Sequence, residues 1–206
     1  MKRRVYVVDD EEPIRRSTRL MLTVQGYEVS AFENGGSLIE VCTALQPGAV
    51  LLDMRMPGMD GLEVQRALLA RSSPHSVVVM SGHGDLAVAS AALRSGAVAF
   101  LEKPFARVAI DRALAAAFLK LENPAGYEAE LGRARARVMS LGDGERAVLA
   151  ALIQGSSNEV IAAGLGVSSQ AVDARRARLF ADLGVDTLPD ALALAFAAGL
   201  GAMADE

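Results

Sequence analysis

Short apolar runs and longer stretches with apolar residues three or four apart alternate through the first 122 positions. VYVV (5–8), YEVSAF (27–32), AVLLD (49–53), SVVVMS (76–81) and AVAFLE (97–102) read as strands. Between them lie helical patterns. EPIRRSTRLMLTVQG carries an early proline and spaces Ile14, Met21 and Leu22 on one face, and Gly26 ends it. SLIEVCTAL, LEVQRALLA and DLAVASAALRSG follow, the last stopped by Gly96, and PFARVAIDRALAAAFLKLE starts a helix at Pro104. MPGMDG (56–61) is a turn, and Asp60 and Asp85 stand where helix caps are expected. Five strands alternating with five helices predict an α/β fold, a doubly wound parallel sheet covered on both faces.

The pattern changes after NPAG (123–126), which breaks the last helix and opens the charged stretch YEAELGRARARV. GERAVLAALIQG, NEVIAAGLG, SQAVDARRARLFADLG and LPDALALAFAAGLG are all helical in period. Two short helices joined through GLGVS and a longer third suggest a helix-turn-helix unit. In the long helix Val172, Leu179 and Leu183 share the core stripe. The expected organisation is an α/β domain over 1–122, a linker over 123–139 and an all-α domain over 140–206.

Composition narrows the class. The chain has 206 residues, 51% of them hydrophobic, enough for one or two real cores. One cysteine, Cys42, excludes an internal disulfide and fits a reducing, cytoplasmic setting. With two histidines, His75 and His83, it makes a poor zinc donor set. MKRRVYVVDDEE has too short an apolar run for a signal peptide, and no stretch matches a membrane span. Residues 1–126 carry 14 basic and 14 acidic side chains, whereas 127–206 carry 7 and 11. The acidic second half counts against phosphate contact, which needs local positive potential.

Candidate chemistry gathers where the strands end, because ligands of an open parallel sheet collect beyond the carboxyl ends. Asp9 and Asp10 follow the first strand, Asp53 the third, Ser81 the fourth and Lys103 the fifth. A single aspartate there is ordinary loop solvation; three carboxylates, a hydroxyl and an ammonium on one rim form a pattern. Close carboxylates repel unless a cation neutralises them, and oxygen-only ligands favour magnesium. Asp9 and Asp10 would hold the metal with Asp53, to which the Arg55 backbone carbonyl can add an oxygen. Asp53, from the central strand, would act as nucleophile toward a phosphoryl group, with Lys103 offsetting charge and Ser81 binding a phosphoryl oxygen.

VVDDEEPIR, LLDMRMPGMDGLE, the strand-end Ser81 and FLEKPF resemble the receiver domain of two-component response regulators over residues 3–121. GHGD and GAVAFLEKPF are similar to the nitrogen-fixation subfamily of the NarL/FixJ family. The resemblance implies a strand order of 2-1-3-4-5, a phosphoryl-accepting Asp53, a magnesium pair Asp9 and Asp10 with the Arg55 carbonyl, a switch hydroxyl Ser81, and Lys103 paired with the aspartyl phosphate. Phe100 matches the switch aromatic, though by itself it reads as core. A sensor histidine kinase is the implied donor. Phosphorylation is expected to repack the fourth and fifth strands and to favour a homodimer. The family's dimer face is the fourth helix, fifth strand and fifth helix, here with Leu93, Arg94, Phe100, Glu102, Arg107 and Asp111.

Residues 141–202 resemble the helix-turn-helix domain of LuxR-type regulators, which implies double-stranded DNA as partner. Glu145, Gly155, Asn158, Ile161, Val172 and Leu183 fall on that pattern. Ser168 caps the recognition helix, Gln170 could pair with adenine, and Ala174 and Arg178 share the outer side. Arg175 and Arg176 flank the core stripe and are expected to meet the DNA backbone or an acid of the first helix of this domain. Gly142-Asp143, Ser156, Ala171 and Arg175 replace residues frequent in the family, leaving fewer phosphate anchors. Binding is therefore expected to be weak in the monomer and dependent on dimerisation. Two other classes stay open. A phosphorylation-switched module could bind protein, RNA polymerase for instance, and hardly touch DNA; a phosphatase-like hydrolase would share the aspartates but would need a cap insertion.

Overall fold

The computed structural model describes residues 2–82 and 86–200; Asp85, expected as a cap, lies outside them. Five strands, β1 (Arg4–Val8), β2 (Glu28–Phe32), β3 (Ala49–Asp53), β4 (Ser76–Ser81) and β5 (Ala99–Glu102), form one parallel sheet ordered β2-β1-β3-β4-β5. The interior strands β3 and β4 are buried at every position, which is why they read as unbroken apolar runs rather than alternating ones. Register pairs Val8 with Leu52 and Asp53 with Met80, so β1, β3 and β4 end at nearly the same level.

The connecting helices are α1 (Glu12–Val24), α2 (Gly35–Val41), α3 (Gly61–Ala70), α4 (Leu86–Arg94) and α5 (Arg107–Glu122). Val5, Val7, Leu51, Val78, Met80, Ile110, Leu114 and Phe118 belong to one core between the sheet and its helices. Asp60 caps α3 reciprocally: its Oδ1 accepts from Glu63 N at 2.8 Å and its own N–H donates to Glu63 Oε2 at 2.9 Å. Two helix starts shift from the sequence reading by more than one residue, and β5 starts at Ala99 rather than Ala97. Asn34 caps α2 by accepting from Ser37 N, which draws its start forward to Gly35. α5 begins at Arg107, not at Pro104, because the extended Ala106 is the residue whose carbonyl takes the first helical hydrogen bonds. Pro104 follows a cis Lys103–Pro104 bond in the turn before it.

α6 (Pro124–Met139) occupies the segment expected as linker. Asn123 is non-helical and separates it from α5, and its Oδ1 accepts from Gly126 N, giving the new helix a cap. Glu130 and Arg133 pair along its exposed side. The remaining helices are α7 (Asp143–Ile153), α8 (Asn158–Leu165), α9 (Ser169–Leu183) and α10 (Leu188–Ala197). The described residues divide into two compact units, 2–82 with 95–127 and 86–94 with 128–200.

The helical part is held by its own apolar seam. Leu149, Val172, Leu179, Leu183 and Leu192 are fully buried, as the core stripe of the third helix predicts. Gly166 ends α8 in the left-handed region at φ 63°, where a side chain would be strained. Two residues later Ser168 caps α9 by accepting from Ala171 N at 3.2 Å. That short turn makes α8 and α9 a helix-turn-helix pair.

Candidate functional site

The strand ends bring Asp9, Asp53, Ser81 and Lys103 together. Asp9, Asp53 and Ser81 are buried, Lys103 is half-buried and Asp10 is exposed. Lys103 Nζ lies 2.6 Å from Asp9 Oδ2 and 2.9 Å from Asp53 Oδ1, so one ammonium bridges two buried carboxylates. The Lys103 backbone N–H donates to the Ser81 carbonyl at 2.7 Å, and Met54 N–H donates to the Met80 carbonyl at 2.9 Å. Carboxylate oxygens of Asp9, Asp10 and Asp53 all lie within 4.8 Å of one another.

Burial is the largest influence on Asp53 and raises its carboxyl above the ordinary range; Lys103 opposes this, and Asp9 and Asp10 add to it. Burial also works against the charge on Lys103, but its hydrogen bonds to Asp9 and Asp53 outweigh that and hold the ammonium above its usual range. Three acids face one ammonium, which leaves net negative charge in a partly dry site. That imbalance, with an all-oxygen donor set of two buried groups and one exposed, fits a hard divalent cation.

Two contributors escaped the sequence reading. Arg15 Nη1 donates to the backbone carbonyls of Asp9 and Asp10 at 2.7 and 2.8 Å and so fixes the loop that carries them. A Cβ on Gly61 would fall 2.6 Å from the Asp53 carbonyl oxygen and 2.8 Å from Met54 Cα, so only glycine lets α3 start against the end of β3. Arg55 stands exposed in the β3–α3 turn, and Phe100 is buried in β5. Asp10, Arg15, Asn34, Pro57 and Met59 line an open cleft beside the rim.

On α9 the side away from the core exposes Gln170, Asp173, Ala174, Ala177 and Arg178. Ser168 is exposed at its N-terminus. Arg175 and Arg176 are half-buried and turn inward. The Arg175 guanidinium sits over Gly144 in the first turn of α7, 3.5 Å from where a Cβ would be. Arg176 Nη1 donates to Asn158 Oδ1 at 2.9 Å and its guanidinium lies 5.9 Å from the Phe180 ring centre.

The fold and rim define a class: a phosphoryl-accepting receiver domain joined to a helix-turn-helix domain. A family model for the response regulator receiver domain matches residues 5–115, and one for bacterial regulatory proteins of the luxR family matches 139–195. The transcriptional regulatory protein FixJ of Bradyrhizobium diazoefficiens is 35% identical over 199 residues, with 97% of each chain covered. FixJ of Rhizobium meliloti is 36% identical, with 96% of this chain and 97% of that protein covered. The crystal structure of full-length FixJ from B. japonicum matches with a TM-score of 0.58 at 35% identity, covering 97% of this chain and 98% of that one. The structure of the response regulator StyR matches at 0.56 and 32% identity over 95% of this chain. The chain belongs to the response regulators that join a receiver to a LuxR-type DNA-binding domain, and it is a two-component transcriptional regulator of the FixJ kind. A histidine kinase and DNA are the partners this organisation implies. Among the described residues no helix is long and apolar enough to cross a membrane.

Proposed function

We propose that Asp53 receives the phosphoryl group from a histidine kinase and that this controls DNA binding by the helical domain in the cytoplasm. The observation that carries the reading is the Lys103 ammonium, set within 2.9 Å of both Asp9 and Asp53. An Asp53 carboxylate oxygen forms the new bond to phosphorus as the phosphorus–nitrogen bond to the donor imidazole breaks. Asp9, Asp10, Asp53 and the Arg55 carbonyl are the groups that would hold magnesium, which supplies neutralisation of the phosphoryl oxygens. Lys103 exchanges its bond to Asp53 for one to a phosphoryl oxygen, keeping Asp9 as its partner. Ser81, the last residue of β4, donates its hydroxyl to another phosphoryl oxygen. Phe100 follows by repacking in β5.

The acyl phosphate carries nearly two negative charges and strong acceptor oxygens into a site that already holds an acid pair. That change drives assembly of two copies, and two recognition helices then engage DNA together. Gln170, Ala174 and Arg178 supply the outer surface of α9, with Ser168 at its N-terminus. Arg175 and Arg176 support that surface from within rather than extending it.

Treatment with acetyl phosphate and magnesium is expected to add one phosphoryl mass to the chain and none to Asp53→Ala. Sedimentation and DNA binding measured on the same samples should show the dimer and the tight complex appearing together. An equal mass gain in Asp53→Ala, or a tight complex formed by the unphosphorylated monomer, overturns the reading.

A further inference from the structure

Asp173 is an unusual group to find on a surface that meets a polyanion. It is exposed on the second turn of α9, between Gln170 and Ala177 on the outer side. Phosphate oxygens repel it, so it contributes to binding only opposite a hydrogen-bond donor. In the major groove such donors are exocyclic base amines, and cytosine presents its N4 amine to an acidic acceptor.

The side chain is also held in place. Asn158, the first residue of α8, donates from Nδ2 to Asp173 Oδ1 at 2.6 Å and accepts at Oδ1 from Arg176 Nη1 at 2.9 Å. The reverse amide orientation would set oxygen against carboxylate and amine against guanidinium, so the neighbours dictate this one. Arg176, half-buried over Phe180, anchors the chain of bonds from the inside. Asn158 uses one carboxylate oxygen of Asp173; among the described residues no cation pairs with the other. Ala174 and Ala177 beside it carry no polar group and leave room for a base edge.

We propose that Asp173 is a specificity-determining residue that accepts a hydrogen bond from a cytosine amine, with Asn158 as the positioning residue that presents it. This rests on reading α9 as the helix that enters the major groove, where residues of its first turns meet base edges. A fixed rotamer removes the ordering cost that a free carboxylate would meet on binding.

The test uses the full chain, treated with acetyl phosphate and magnesium, to select duplexes from a random library. Affinities for selected duplexes and their single-base variants follow by fluorescence anisotropy. Wild type is expected to select cytosine at one position of each half-site and to lose about tenfold in affinity when it is replaced. Asp173→Ala should flatten that position to within about twofold and leave the other positions unchanged. Asp173→Asn, equal in size and thus safe for folding, keeps its oxygen toward the Asn158 amine and turns its own amine outward. The cytosine preference there should then be lost in favour of an acceptor edge such as that of guanine. Asn158→Ala should weaken discrimination at the same position only. The proposal is overturned if Asp173→Ala tightens every duplex alike with an unchanged selected pattern, which marks a merely repulsive acid. It is overturned too if no selected position responds to residue 173. Should wild type select no sequence at all, the recognition-helix reading itself fails, and that result differs from either of these.

Discussion

The sheet rim and the outer face of α9 handle charge in opposite ways. At the rim, Asp9 and Asp53 are buried and share one ammonium, so removing Lys103 leaves two carboxylates uncompensated in a low-dielectric setting. On the outer face of α9 the charges are few and exposed, Asp173 and Arg178 among them, and two of the three arginines of the helix are turned inward. The first arrangement concentrates function in groups that cannot be exchanged. The second distributes it, so single changes there alter preference rather than abolish activity.

The strongest way to break that contrast is at Lys103. Lys103→Met should slow phosphorylation of Asp53 by about a thousandfold, the scale seen when a preorganised donor is lost, and stopped-flow labelling with a small phosphodonor measures it. A loss below about tenfold would mean the rim is no more concentrated than α9. Leu179→Ala attacks the other side. It removes a fully buried leucine from the seam of the helical part and should cost about 3 kcal/mol in thermal or urea unfolding. Phosphorylation of Asp53 should persist in that variant while DNA binding goes.

Gly61→Ala comes next. Its added methyl meets strand backbone rather than a movable side chain, so about 2 kcal/mol of stability should be lost, with slower phosphorylation as Asp53 shifts. A wild-type melt would show that the β3–α3 junction gives way easily.

A smaller effect comes from His75, which precedes β4 at the opposite end of the sheet. Burial lowers its pKa, its Nε2 bonds the Cys42 carbonyl at 2.9 Å, and its ring meets Tyr6 edge-on. Below its ordinary value of about 6.5 the unfolded chain binds a proton that the fold resists. Stability is therefore full above that pH and declines as pH falls toward the lowered folded value. Melts at about pH 7.5 and about pH 5.5 should differ less in His75→Gln than in wild type. The least effect is expected at the exposed Arg3–Glu122 pair, where Arg3→Ala should cost less than about 1 kcal/mol in the same melts.

Much of the rim was legible because strand ends coincide with changes in residue chemistry. VVDD, LLD and VVMS each switch from apolar to acid or hydroxyl within one residue, and parallel packing brings those switches to one level. The contacts that fix the rim were not legible. Arg15 serves through backbone carbonyls, which any sequence supplies, and Gly61 through a close approach visible only in three dimensions. YEAELGRARARV lacked a wide apolar stripe and read as linker, yet Asn123 caps a helix there, Glu130 and Arg133 pair along it, and Ala134 and Val138 are buried. In α9 the core stripe stood out through Val172, Leu179 and Leu183, whereas the inward turn of Arg176 depends on Asn158, 18 residues away.

The amide of Lys103 is bonded to the carbonyl of Ser81, so the last residue of β4 and the residue after β5 travel together. Neither can advance toward position 53 alone without breaking a short backbone bond. The two strand tips form a yoke, and a pull on either side chain reaches the rest of the sheet edge as one displacement.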